Sequence, residues 1–193
     1  MVLTPSTMLE LGTKLPSFRL PDYDGRVMSD QDVKDAAGVL VVFASVHCPF
    51  VKLVQKELGR FGDEYVTRGL AIVAIGANDT ATHPADGPAG MKVQAAENGW
   101  HFPYLYDESQ QVAQAFRAAC TPDYFLFDRN GELVYRGQFD NSRPGNNIAP
   151  TGDDLRAAAD SVLAGRAVAP VQKPSIGCNI KWKAGHEPAY FNR

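Results

Sequence analysis

Cys48 stands where an apolar run over residues 39–44 gives way to a helix announced by Pro49. Backbone N–H groups at a helix start, with the positive end of its dipole, stabilise an anion, so the sequence predicts a nucleophilic thiolate there. Pro49 suits the first turn, because its φ is fixed and its missing N–H would have found no partner anyway. No Cys-x-x-Cys surrounds this residue, since Ser45 and Val51 occupy the positions three before and three after it. A partner thiol must therefore come from elsewhere, and the candidates are Cys120 and Cys178. Cys120 reads as a buried structural thiol. Cys178 follows Pro174, Ser175 and Gly177 and precedes Asn179, a composition that predicts a segment able to move, while Ile176, Ile180 and Trp182 alternate and could dock it. Cys178 is accordingly the expected disulfide partner of Cys48, with Cys120 or an external thiol as the alternatives. His83, His101 and His186 have no ligand spacing, so neither a metal nor an organic cofactor is implied.

The elements that must position these thiols follow from periodicity and punctuation. Val51, Val54, Leu58, Phe61 and Tyr65 keep helical spacing until Arg68-Gly69, and residues 70–75 read as a second buried strand, which makes a parallel βαβ unit. Before it, Phe18, Leu20 and the turn residues 22–25 predict a short entry strand, and residues 29–32 a helix cap. After it, residues 78–90 read as a loop leading to a helix that ends at Asn98-Gly99, and residues 107–110 cap another helix with Val112, Ala113 and Phe116 buried. Asp128-Arg129-Asn130-Gly131 between two apolar runs predicts a hairpin. The last helix opens over residues 151–154 and buries Leu155, Ala158, Ala159, Val162 and Leu163. These elements compose one domain over 1–165, and the Pro- and Gly-containing residues 166–193 form an extended tail on or near it.

With 193 residues, 45% of them apolar, and a net charge of −3, the chain can bury a full core without a disulfide framework. Its dispersed Lys and Arg leave no footprint for nucleic acid. The first residues lack a basic region followed by an apolar core, and no run is long enough to span a bilayer, so a cytoplasmic protein without membrane contact is expected. In a reducing compartment its cysteines would be free thiols or transient redox partners.

The element order, with cysteine at the first strand-to-helix junction, resembles the thioredoxin fold, an α/β architecture with a central mixed sheet flanked by helices. Residues 16–25 (Pro-x-Phe-x-Leu-x-Asp-x-x-Gly) and 47–52 (His-Cys-Pro-Phe-Val-Lys) are similar to the entry and active-site segments of peroxiredoxin-related, redoxin-type proteins. Residues 121–128 resemble the thioredoxin strand that bears a cis-proline, and 176–183 the tail of a peroxiredoxin-like branch. The resemblance implies a thiol-disulfide oxidoreductase or weak thiol peroxidase acting through Cys48, or, if nothing turns over, a redox-sensing or binding module. Ser45, His47 and the helix start would orient and stabilise the thiolate. Pro122 would shape the substrate groove, and the loop bearing Cys120 would face Cys48. The partners implied are a peroxide or a protein or small-molecule disulfide, and an external thiol reductant; oligomeric state is not written in the chain. Peroxiredoxins also carry a proline where Val41 stands and an arginine where Pro122 stands, so peroxide reduction is expected to be slow unless Arg117, Arg136 or Arg143 supplies the missing charge.

Overall fold

A computed structural model describes residues 3–191. In chain order the elements are β1 (Leu3–Pro5), β2 (Arg19–Pro21), β3 (Val27–Ser29), β4 (Gly38–Phe43), α1 (Pro49–Thr67), β5 (Leu70–Gly76), α2 (Pro88–Asn98), β6 (Tyr104–Tyr106), α3 (Gln111–Ala115), β7 (Cys120–Thr121), β8 (Asp123–Asp128), β9 (Leu133–Gly137), α4 (Asp153–Leu163) and β10 (Ile176–Asn179). Short 3-10 turns occupy Asp30–Asp32 and Pro84–Asp86.

The central sheet has the order β6-β5-β4-β8-β9. β4 runs parallel to β5 and β5 to β6, whereas β8 is antiparallel to both β4 and β9. Every residue of β4 is buried because the strand is covered on both faces, as a near-continuous apolar sequence requires. Leu40 and Val42 face a cluster with Val54, Leu58 and Phe61 of α1 and Leu155 of α4. Val39, Val41 and Phe43 face a second cluster with Phe116, Ile180 and Trp182. Each of these side chains contributes roughly 1.5–3 kcal/mol by leaving water. The hairpin forms where the turn residues predict it: Gly131 takes φ +68°, and the Asp128 carboxylate accepts from the Asn130 and Glu132 amides at 2.9 Å. This is a thioredoxin-like α/β fold, a mixed sheet between helical layers.

The structure departs from the sequence expectation in several elements. The cap at Ser29 forms, with the Ser29 amide and hydroxyl both donating to Asp32, but it starts only a 3-10 turn because β4 begins soon after. The loop after β5 is shorter than expected, since α2 already starts at Pro88. The largest correction concerns the tail. The segment around Cys178 was expected to move, but β10 is the middle strand of a second sheet ordered β1-β10-β7. Cys178 pairs with Leu3 on one side and Thr121 on the other. Pro and Gly signalled mobility locally, yet both edges of the strand are satisfied by partners remote in sequence.

Candidate active site

β4 delivers the chain to the site, and the Ala44 amide donates to the Ile75 carbonyl, which keeps the following loop tied to β5. Cys48 caps α1 with extended backbone angles, and its carbonyl accepts the Lys52 amide at 2.9 Å. Its sulfur makes no hydrogen bond with the helix amides. Instead the thiol donates to the Thr121 carbonyl at 3.1 Å, next to the cis Thr121–Pro122 peptide. The loop bearing Pro122 thus does face Cys48.

The second sheet carries the other thiols to the same place. Cys178 is 3% exposed, and Cys48 and Cys120 are 0% exposed. The Cys178 thiol is pushed up to about 12, first by burial and then by the neighbouring Cys48. Cys178 lies beside Thr121, whose carbonyl accepts the Cys48 thiol. Gly177 makes this approach feasible, because a Cβ there would lie 2.0 Å from the Thr121 carbonyl oxygen. Only glycine lets β10 lie so close to the cis-proline loop. Cys120 turns its thiol back toward the Pro122 carbonyl at 3.7 Å. Burial raises its pKa well above the usual thiol range, and the charges of Asp123, Cys48 and Cys178 push the same way. Asp123, wholly buried at the start of β8, is pushed up to about 7 by burial.

Ser45 and His47 were expected to act on the sulfur, but their hydrogen bonds go to a different residue. Ser45 Oγ donates to Asp86 Oδ1 at 3.2 Å and lies 3.3 Å from His47 Nδ1, while His47 Nδ1 lies 2.5 Å from Asp86 Oδ2. Asp86 Oδ1 also accepts the amides of Val46 and His47 at 2.7 and 3.1 Å, and Asn78 Nδ2 donates to Oδ2 at 2.8 Å. Burial works to raise the Asp86 carboxyl, but the Asn78 hydrogen bond, the charge of His47 and its amide outweigh it, and the pKa lies below the usual range. The imidazole of His83 stacks on that of His47, with centroids 4.6 Å apart. Burial first, then the charges of His47 and Lys181, lower the His83 pKa. Sequence reasoning missed Asp86, because it lies in a Thr-, Pro- and Gly-rich loop that reads as solvated. The one available signal was the length of that loop, since long loops inside compact domains tend to be functional.

The arginines proposed to complete a peroxidase site are engaged elsewhere. Arg136 donates to the Leu9 carbonyl and Gln172, Arg143 to the carbonyls of Asp140 and Ser142, and the Arg117 guanidinium lies over the Tyr190 ring. Among the described residues no group of His, Cys, Asp and Glu is arranged to hold a metal ion.

The redoxin family model matches residues 10–155. A hypothetical protein from Sinorhizobium meliloti 1021 has a crystal structure that superposes with a TM-score of 0.93 at 49% identity, covering 94% of this chain and 100% of that one. An uncharacterized conserved protein from Geobacillus kaustophilus superposes at 0.92 and 51% identity, covering 95% and 97%. The thiol-disulfide oxidoreductase ResA of Bacillus thuringiensis (strain Al Hakam) is 23% identical over 126 residues, 65% of this chain and 68% of that protein.

Proposed function

Since the chain belongs to the redoxin family, we propose that it is a thiol-disulfide oxidoreductase in which Cys48 is the nucleophile and Cys178 the resolving thiol. The observation that carries this reading is that the Cys48 thiol donates to the carbonyl of Thr121, the residue that pairs with Cys178 in the second sheet. The Cys48 thiolate attacks one sulfur of a substrate disulfide and expels the other as a thiolate, which takes up a proton. Cys178, having lost its own proton, then attacks the Cys48 sulfur of the mixed disulfide and expels the second substrate thiol. The substrate disulfide is thereby reduced to two thiols, and the protein is oxidised to a Cys48–Cys178 disulfide. An external thiol reductant reverses the protein's oxidation. Cys120 is the reserve resolving thiol, disfavoured because its sulfur turns to the Pro122 carbonyl.

Slow peroxide reduction is expected of the same thiolate, because Arg117, Arg136 and Arg143 are committed to other partners. Large acceleration requires groups that stabilise charge developing on peroxide oxygen. The burial of all three thiols favours one further reading, a redox-sensing module that is oxidised once rather than turning over.

Insulin reduction with added dithiothreitol, combined with peptide mapping after mild oxidation, tests the proposal. Steady turnover that disappears in Cys48→Ser is expected, together with a Cys48–Cys178 peptide. Cys178→Ser should accumulate the mixed disulfide with substrate. A mapped Cys48–Cys120 link would move the resolving role to Cys120, and a single oxidation without turnover would establish the sensing module.

A further inference from the structure

The geometry points to Asp86 and Asn78 as positioning residues that set the approach of Cys48 to Cys178, an inference that rests on reading those two thiols as the redox pair. The two cysteines are 130 residues apart in sequence, one capping α1 and the other in β10 of the second sheet, so nothing local brings them together. Asp86, 2% exposed, grips the loop immediately before Cys48 through the Val46 and His47 amides and the Ser45 and His47 side chains. Its other oxygen takes the Asn78 amide, and Asn78, 4% exposed, accepts the Lys181 amide on Oδ1 at 2.8 Å. Lys181 lies three residues beyond Cys178 and is clamped again through its carbonyl, which accepts the Asp79 amide at 2.8 Å and Gln110 Nε2 at 2.9 Å. Two buried side chains therefore form a continuous bridge from the segment before the nucleophile to the segment after its partner.

Such a bridge acts on redox chemistry through effective concentration, because two groups held in reacting geometry react as if at very high molarity and small displacements forfeit much of that gain. The couple is two thiols against one disulfide, two protons and two electrons, the electrons being exchanged with glutathione. Breaking the bridge loosens both sulfurs in the reduced protein and destabilises the disulfide relative to the dithiol. A tenfold loss of effective concentration moves the potential about 30 mV in the oxidising direction.

The test is a titration in glutathione redox buffers at one pH, comparing the wild-type chain with Asp86→Asn, Asn78→Ala and the double variant. Val33→Ala, a buried residue packed in the other cluster, serves as a stability control. The expected result is a shift of about tenfold for each single variant and no further shift for the double, because both break one bridge. Val33→Ala should lower the unfolding midpoint without moving the potential. If Asn78→Ala does not fold, Asn78→Ser carries the same measurement, since a short hydroxyl cannot span Asp86 to Lys181. Folded variants with the wild-type potential, or additive effects in the double variant, would overturn the bridge. A wild-type protein that forms no Cys48–Cys178 disulfide overturns the oxidoreductase reading itself, and the bridge with it.

Discussion

Asp123 carries an electrostatic burden beside the thiols. It is wholly buried, one of its oxygens has no partner, and its carboxyl titrates at about 7 rather than 3.8. A folded pKa raised above the unfolded one means that ionisation opposes folding. The penalty is absent below about 3.8, grows between the two values and is complete above about 7, where it reaches about 4 kcal/mol. Asp123→Asn keeps an acceptor for the Ala119 amide and removes the charge. The variant should therefore gain stability over wild type at pH 8 and lose most of that gain near pH 4, as read by urea unfolding of the reduced proteins. An equal gain at both values would mean that the carboxyl is not ionising inside the fold. Asp86 has the opposite sign. Its lowered pKa contributes stability above about 3.8 that is lost as the pH falls further, so acid should release the loop before Cys48.

At the scale of the element, β10 determines what the site can do. Its pairing with β7 places Cys178 beside Thr121, and Gly177 allows the strand to touch the cis-proline loop. Gly177→Ala would put a methyl group 2.0 Å from the Thr121 carbonyl oxygen and 2.7 Å from its carbon, so the backbones must part. Overpacking of this kind costs about 1–3 kcal/mol. The expected outcome is a lower denaturation midpoint together with slower closure of the Cys48–Cys178 disulfide. Unchanged oxidation kinetics in a folded Gly177→Ala would show that β10 does not position the resolving thiol. The neighbouring elements explain why the strand stays in place: β1 pairs along its other edge, and the Ser6 and Ile180 amides continue the bonding at its ends.

The whole molecule is linked to its redox state through chain length. Closing a loop of about 130 residues restricts the unfolded chain, an effect worth up to about 5 kcal/mol in the chain-entropy account. Because both cysteines already lie against Thr121 in the reduced protein, closure should distort the native state little. The oxidised protein should unfold at a clearly higher urea concentration than the reduced one, and Cys178→Ser should abolish the difference. Coincident midpoints for a protein with a mapped Cys48–Cys178 disulfide would mean that closure strains the fold by as much as it restrains the unfolded chain.

The sequence by itself determined the central elements, because their signals are local. The all-apolar β4, the 3.6-residue stripe of α1, Pro49 after Cys48 and the Asp-x-Asn-Gly turn each act within a few residues, and each forms where it is predicted. It also singled out Cys48 and Cys178 and the absence of a neighbouring cysteine pair. Only the tertiary structure decided that the tail is a strand rather than a mobile arm, that β6 and β7 exist at two or three residues, and that Ser45 and His47 turn to Asp86. Backbone pairing between remote segments leaves no composition or period to read, since any residue with an N–H and a carbonyl can take part. A buried carboxylate in a turn is spelled like an exposed one until its donors are known, and the donors of Asp86 come from two loops on either side of α1.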